Sequence, residues 1–343
     1  MNRTLLTAVV GGMVLAAGCS AAGTGPTDHA YALLGASPQG AIVLDVPAGT
    51  LLGIDRTGRT RWTDRDALNV GADATCAATC PDAVFSVVGD DPAADAAPWQ
   101  VTDGRRVPVQ VAATRTKRAL AVQGPSDAVF VEGDTSTSLR IVRPGGEERI
   151  PVPSAAVTWS MNPQRTEAVA FAGPGTPLLR FGHDATGWHL TGNGDTAGKA
   201  WGACVAGEGA ARVVTLVGDE PAVLSGDGRF PVRTDLRSAG ECALGETSGA
   251  VWERSADQTG AHHTAVRGID LEGRQTWARD LTGEASVSAS PDGRLFALAS
   301  GGTLELVDAN GTTTSARAGV AAAMFTAAGE LVTVDVGGTV HWT

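Results

Sequence analysis

Two ten-residue segments far apart in the chain share one pattern, and this internal repeat restricts the possible folds more than any other feature. Residues 53–62 and 268–277 both read Gly-Ile-Asp-x-x-Gly-Arg-x-x-Trp. The pattern predicts a strand, a tight turn and a second strand. In the turn, the aspartate accepts backbone N–H bonds and the glycine supplies a positive φ, and the tryptophan then packs on the next strand layer. These structural positions are Asp55, Gly58, Trp62, Asp270, Gly273 and Trp277.

Weaker copies of the same pattern and a second repeated element occur elsewhere. Residues 306–311 keep Asp308 and Gly311, and residues 224–230 place Phe230 near the tryptophan position. The second element appears at residues 159–163 and 288–293, where a proline follows a short polar run. An apolar segment follows each copy of it, which is typical of a strand after a turn.

Taken in chain order, the repeats divide the chain into units of about forty residues, each with up to four short strands, which is the period of a propeller blade. The units begin near Ala30, Gly71, Arg118, Ala156, Trp201, Gly240, Ala285 and Ala321. We therefore predict an all-β fold over residues 30–343, an eight-bladed β-propeller with four-stranded antiparallel blades. The alternatives are seven blades, or two unrelated β-sandwiches. The last unit has room for three strands, and residues 26–30 could supply a fourth.

The repeat motifs resemble those of two groups of propellers. The Gly-Ile-Asp-x-x-Gly-Arg-x-x-Trp units are similar to quinoprotein-like repeats, and Ser290-Pro291-Asp292-Gly293 resembles the repeats of WD40/YVTN-like propellers. The resemblance implies the architecture and leaves the function open. Quinoprotein dehydrogenases hold a quinone and Ca²⁺ in a funnel, often under a disulfide of adjacent cysteines. This chain has no adjacent cysteine pair, so we expect no cofactor.

The N-terminal segment has the form of an export signal. Arg3 precedes an uncharged run that ends at Gly18, and its apolar part is too short to span a membrane comfortably. Residues 15–19, Leu-Ala-Ala-Gly-Cys, resemble the lipobox of bacterial lipoproteins. That resemblance implies a signal peptide over residues 1–18 and a diacylglycerol thioether on Cys19. Residues 19–29 then form a flexible tether, and the propeller is extracytoplasmic and lipid-anchored to the cell membrane. The alternative is an ordinary secretory signal.

Composition narrows the range of partners. The formal net charge of the chain is −11, and removal of Arg3 with the signal makes the mature chain more negative. A negative surface repels phosphate backbones, so we expect no nucleic-acid partner. The 45 glycines and the 5% aromatic content favour strands and turns over a helical bundle.

Four cysteines remain besides Cys19, and an even number in an exported chain predicts two disulfides, with three connectivities open. Cys204 and Cys242 lie one repeat apart in similar contexts, so we predict that they join the innermost strands of adjacent blades. Cys76 and Cys80 would then close a small loop. A redox role for this second pair is the alternative, although its spacing is not the C-x-x-C of thioredoxin-like enzymes.

No catalytic set can be assigned from the sequence. His262 and His263 form the one histidine cluster, next to a polar run that predicts a loop, and adjacent residues of an extended chain point to opposite sides. We therefore expect no metal site. The Asp–Gly spacing at Asp55 and Asp270 differs from that of the sialidase Asp-box, and the chain has no G-x-S-x-G, Walker or zincin motif.

The leading functional hypothesis is a non-enzymatic lipoprotein whose propeller presents one end of its channel to an envelope protein or a glycan, as a scaffold or accessory subunit. The alternative is an extracytoplasmic enzyme, namely a hydrolase, a lyase or a degenerate quinoprotein-like protein. Converging Asp, Glu, His or Arg side chains at the channel mouth would favour the enzyme, whereas Ala, Val and Ser would favour binding.

Overall fold

The chain folds into eight antiparallel sheets that follow one another in sequence order. The computed structural model describes residues 31–66, 72–77, 79–87, 98–102, 104–109, 112, 116–124, 126–133, 137–257 and 259–343. Seven sheets have four strands, and the last has three among these residues. The all-β, eight-bladed propeller is confirmed and the seven-bladed alternative is wrong. The predicted signal peptide, Cys19, the tether and Ala30 lie outside the described residues.

The first four blades contain strands β1 to β16. Blade 1 consists of β1 (Tyr31–Ser37), β2 (Gly40–Asp45), β3 (Thr50–Asp55) and β4 (Thr60–Asp64). Blade 2 consists of β5 (Ala72–Cys76), β6 (Ala83–Val87), β7 (Trp99–Thr102) and β8 (Arg105–Pro108). Blade 3 consists of β9 (Thr116–Gly124), β10 (Asp127–Gly133), β11 (Thr137–Arg143) and β12 (Gly146–Pro151). Blade 4 consists of β13 (Thr158–Met161), β14 (Glu167–Phe171), β15 (Pro177–Asp184) and β16 (Gly187–Thr196).

The last four blades contain strands β17 to β31. Blade 5 consists of β17 (Ala200–Ala206), β18 (Val213–Gly218), β19 (Ala222–Ser225) and β20 (Gly228–Pro231). Blade 6 consists of β21 (Glu241–Leu244), β22 (Ser248–Ala256), β23 (His262–Asp270) and β24 (Gln275–Thr282). Blade 7 consists of β25 (Ala285–Ala289), β26 (Leu295–Ser300), β27 (Thr303–Asp308) and β28 (Thr313–Ala318). Blade 8 consists of β29 (Val320–Phe325), β30 (Leu331–Asp335) and β31 (Val340–Trp342).

Helix is nearly absent from the part of the chain that the structure describes. A single 3₁₀ turn, Gly209–Ala211, connects β17 to β18. No helix among the described residues has the length and apolar character needed to cross a membrane.

The first strand of each blade lies nearest the axis of the ring. Strand β13 contacts β17, β17 contacts β21, β21 contacts β25 and β25 contacts β29. Strand β29 in turn contacts β1, which closes the ring between blades 8 and 1. Each blade begins within two residues of the start that the repeat predicts. The repeat in the sequence therefore fixes the position of every inner strand.

The hydrophobic core is divided among the blade interfaces. Eight clusters of buried side chains occur among the described residues, and each cluster joins two neighbouring blades. The second strands are largely buried because neighbouring blades cover both of their faces, and every residue of β14 and β18 is buried. By contrast, the fourth strand of blade 7, β28, is exposed along its whole length.

The two copies of the long repeat form the same turn. Oδ1 of Asp55 accepts backbone N–H bonds from Thr57 at 2.9 Å and from Arg59 at 3.1 Å, and Gly58 has a φ of +80°. Oδ1 of Asp270 likewise accepts bonds from the N–H groups of Glu272 at 3.0 Å and Arg274 at 2.8 Å, with Gly273 at +75°. The aspartate therefore satisfies turn N–H groups, and the glycine permits the left-handed conformation.

The two repeat tryptophans, in blades 1 and 6, each contact the following blade. The Nε1 of Trp62 donates a hydrogen bond to the carbonyl oxygen of Pro81 in blade 2 at 2.7 Å, and the indole meets the ring of Phe85 edge-on. Trp277 meets Phe296 of blade 7 edge-on at 5.3 Å between ring centroids. In blade 5, Phe230 lies on the fourth strand, the strand that carries the tryptophans in blades 1 and 6.

The glycine that opens each long repeat makes room for the tryptophan. A Cβ at Gly268 would lie 2.0 Å from Nε1 of Trp277, and a Cβ at Gly53 would lie 2.1 Å from the Trp62 ring. Gly268→Ala should therefore lower the free energy of unfolding by about 1–3 kcal/mol, because the indole must shift out of its packed position. Urea unfolding of the variant measures this loss.

Gly192→Ala is the matched control, since a Cβ at that strand glycine has no heavy atom within 4 Å. We expect this variant to unfold at the same urea concentration as the wild type, within experimental error. Equal destabilisation by the two substitutions would contradict the packing role of Gly268.

Candidate functional site

One end of the central channel opens into a cavity of about 300 Å³. It lies where the first strands end and the turns to the second strands begin, and blades 1, 2, 4, 6, 7 and 8 contribute to it. Its described lining consists of Leu34, Gly35, Ala36, Ser37, Pro38, Gln39, Thr75, Cys76, Thr79, Cys80, Met161, Asn162, Pro163, Gln164, Arg165, Ala243, Leu244, Ser288, Ala289, Phe325 and Ala327. We call this cavity the channel mouth.

The lining of the channel mouth is almost entirely neutral. Leu34, Leu244 and Phe325 provide apolar surface, and serine, threonine and amide side chains provide hydrogen-bonding groups. Among the described lining residues, Arg165 has the only charged side chain, and there is neither a carboxylate nor an imidazole. The described lining can therefore bind a ligand by burial and hydrogen bonding, but it offers no pair of titratable groups for acid–base chemistry.

Arg165 occupies an unusual place in the turn between β13 and β14. Its backbone N–H donates to the carbonyl oxygen of Asn162 at 3.0 Å, and its φ is +62°. In the matching turn of blade 7, Gly293 donates to the carbonyl oxygen of Ser290 at 2.8 Å with a φ of +75°. In blade 8, Gly329 takes the same place with a φ of +81°. An arginine thus stands where two other blades have glycine, the residue that adopts this conformation without strain.

Asn162 holds the arginine turn in place. Its Oδ1 accepts the backbone N–H of Thr166 at 2.9 Å and that of Glu167 at 3.0 Å. Its Nδ2 donates to the carbonyl oxygen of Gly207 in blade 5 at 3.0 Å. The turn that carries Arg165 is therefore fixed to its own blade and to the following one.

Two guanidinium nitrogens of Arg165 are shielded from water, and no described residue forms an ion pair with this side chain. Although the residue as a whole is partly exposed, its Nε and Nη1 are inaccessible to solvent and have no hydrogen-bond partner among the described residues. Burial lowers the pKa of Arg165 to about 10, so the side chain still carries its charge at neutral pH. The sequence comparison of residues 159–163 with 288–293 already aligns Arg165 with Gly293, and that mismatch was the available signal for this residue.

The four propeller cysteines form two disulfides. Cys204 on β17 is bonded to Cys242 on β21, with 6.0 Å between Cα atoms, so the bond joins the first strands of blades 5 and 6. Cys76 is bonded to Cys80, and both residues line the channel mouth. The mouth disulfide packs against β1, where a Cβ at Gly35 would lie 2.5 Å from Sγ of Cys76.

The polar run before the histidine pair forms a shorter loop than the sequence predicts, and the pair itself lies at the start of strand β23. Strand pairing in the long β22–β23 hairpin extends to Ala256 and His262, so the loop is shorter than the polar run suggests. His262 approaches Glu284 at 3.9 Å, whereas His263 approaches Asp257 at 3.8 Å. Within the described ranges, no three His, Cys, Asp or Glu side chains converge on a point where a metal ion could bind.

Comparison with known proteins finds similarity at the level of structure. The sequence matches no protein-family model, and no curated protein matches it. A protein of unknown function from Desulfotomaculum acetoxidans is 12% identical over 78% of this chain and 91% of its own, with a TM-score of 0.45. The Pan2 WD40 domain of Neurospora crassa is 11% identical over 81% and 90%, with a TM-score of 0.46. A putative TolB from Agrobacterium tumefaciens is 9% identical over 71% and 94%, with a TM-score of 0.40. The assignment of the fold rests on the eight sheets themselves.

Removal of either disulfide should lower the free energy of unfolding, and the loss should be larger for the disulfide that closes the longer loop. The bond between Cys204 and Cys242 spans 38 positions, and that between Cys76 and Cys80 spans 4. Chain-entropy arguments give losses of about 4 kcal/mol for Cys204→Ala with Cys242→Ala and about 2 kcal/mol for Cys76→Ala with Cys80→Ala. Urea unfolding of the two double variants under oxidising conditions measures both, and a larger loss for the short loop would contradict this order.

Proposed function

We propose that this protein is an extracytoplasmic lipoprotein, held to the cell membrane through Cys19, whose propeller acts as a non-enzymatic binding scaffold or accessory subunit. The observation that carries the proposal is the channel mouth. It is a formed cavity of about 300 Å³ with apolar and neutral polar walls, and the described lining contains a single charged side chain. Such a lining suits recognition of a ligand or of a protruding part of a partner.

The same lining weighs against the enzyme alternative. Hydrolases and lyases of the kind considered need at least two groups that exchange protons or stabilise charge beside the substrate. The described lining brings Arg165 alone to the mouth, and an arginine does not exchange protons near neutral pH. The partner in the proposal is therefore an envelope protein or a glycan that is bound and released unchanged.

The path of the first strand supports an outward-facing mouth. Strand β1 begins at Tyr31, at the end of the ring away from the mouth, and reaches the mouth with its last residues and the turn at Gln39. In the proposal, a tether from Cys19 joins the propeller at the far end, where Tyr31 lies. Eleven extended residues reach about 40 Å at most. With the anchor at the far end, the channel mouth in the proposal faces away from the bilayer, towards components of the envelope.

The anchor is tested by Cys19→Ser. In the proposal, the wild-type protein sediments with membranes and its N-terminal peptide carries the mass of an acylated cysteine. The variant should lose the modification and leave the membrane fraction, because a serine provides no thiol for the thioether. Ser20→Ala is the matched control and should remain acylated. A Cys19→Ser protein that still sediments with membranes would contradict the lipid anchor.

The partner is tested by site-specific photocrosslinking in cells. A crosslinking amino acid at Gln39, an exposed residue on the rim of the mouth, should give an adduct with an envelope protein or glycan that mass spectrometry identifies. The same amino acid at Ser315, on the exposed outer strand β28, should give none. Absence of a Gln39 adduct in every growth phase would count against the scaffold, and chemical conversion of the bound component by the purified protein would support the enzyme alternative.

A further inference from the structure

We propose that Arg165 makes the channel mouth a binding site for a small monocarboxylate with a short apolar body. The inference rests on the proposed binding function of the mouth and names the chemistry of its ligand. Three independent features of the structure support it: the unpaired guanidinium, the turn that carries it and the character of the surrounding walls.

The first feature is that Arg165 has no charged partner among the described residues, unlike the buried arginines. Arg140 lies between Glu132 and Glu147, and Arg267 is paired with Asp235 and Asp280. A shielded charge without a partner is destabilising, and proteins rarely keep one unless something pairs with it.

Arg212 follows the same rule as those two arginines, because it is paired with the buried Glu167. The Nε and Nη1 of Arg165 lack any partner among the described residues, although both are shielded from water. A bound anion in the mouth would supply the missing counter-charge.

The second feature is the backbone. A φ of +62° is unfavourable for an arginine, and the matching turns of blades 7 and 8 hold Gly293 and Gly329 in this conformation. A glycine would remove both the strain and the unpaired charge. Backbone strain of this kind clusters at functional sites, where the surrounding structure maintains it. We therefore infer that the arginine occupies this position because it binds a ligand.

The third feature defines the class of ligand. A guanidinium pairs readily with a carboxylate. The described lining presents one cation, so a monoanion is neutralised there, whereas a polyanion would keep excess charge against neutral walls. Leu34, Leu244 and Phe325 offer apolar contact to the rest of the molecule, and a cavity of about 300 Å³ accommodates a small organic acid.

Isothermal titration calorimetry on the purified full-length protein tests the proposal with hexanoate as the probe. Hexanamide is the neutral isostere, and inorganic phosphate is the competing anion. The variants are Arg165→Gly, which suits the turn, and Arg165→Gln. The matched control is Arg294→Gln, which removes an exposed arginine from the corresponding turn of blade 7.

The wild type and Arg294→Gln should bind hexanoate alike. Both Arg165 variants should bind it at least about tenfold more weakly, since a hydrogen-bonded charge pair is lost. Hexanamide should bind at least about tenfold more weakly than hexanoate to the wild type, for the same reason. The Arg165→Gly protein should melt no lower than the wild type, which separates a binding defect from a folding defect.

Three results would overturn the proposal. They are equal affinity for hexanoate and hexanamide, undiminished hexanoate binding by Arg165→Gly, and tighter binding of inorganic phosphate than of hexanoate. A further arm compares N-acetyl-alanyl-alanine with its C-terminal amide. Binding of this peptide acid that depends on Arg165 identifies a peptide C-terminus as the source of the carboxylate, and binding of hexanoate alone identifies a free acid.

This assay is independent of the test of the proposed function. A Gln39 crosslink without hexanoate binding would support the scaffold function and contradict the carboxylate site. Hexanoate binding without any crosslinked partner would support the carboxylate site and contradict the scaffold function.

Discussion

The structure depends on the packing of each blade between its two neighbours. A four-stranded sheet cannot cover its own two faces, and the buried apolar side chains among the described residues gather in eight clusters, each shared by two blades. The cluster between blades 8 and 1 joins Met324 and Val332 to Leu33 and Val43, and it closes the ring. Because the described apolar clusters lie between blades, the space on the axis is left for the channel and its mouth.

Specific contacts at the blade interfaces add to this apolar packing. Trp62 and Trp277 reach from fourth strands to the following blades, the disulfide between Cys204 and Cys242 joins two inner strands, and Asn162 bonds across to Gly207. These contacts hold the turns around the mouth in a fixed arrangement. The fixed arrangement maintains the strained turn that carries Arg165. The rigidity of the ring and the chemistry of the mouth are thus connected.

Sequence reasoning located the blades much better than the site. The turn motif is local, since an aspartate, a glycine and the strands around them lie within ten residues, so the repeats could be read directly and gave each blade start. The histidine pair shows the limit of this reading, because the extent of strand pairing between β22 and β23 depends on cross-strand partners that no local pattern reveals. Arg165 was visible as an odd residue in a repeated turn, yet its shielding could not be deduced from the turn alone.

The sequence by itself determined the all-β propeller and the turn residues, because each blade is a local unit whose pattern recurs along the chain. It favoured eight blades over seven, and the structure decided that number. It also predicts the export signal and the lipid attachment at Cys19. The tertiary structure alone decided which residues meet at the channel mouth. The lining comes from six blades separated by up to almost three hundred residues, and closure of the ring is what brings Gln39 and Phe325 to one cavity and leaves Arg165 there without a counter-ion among the described residues.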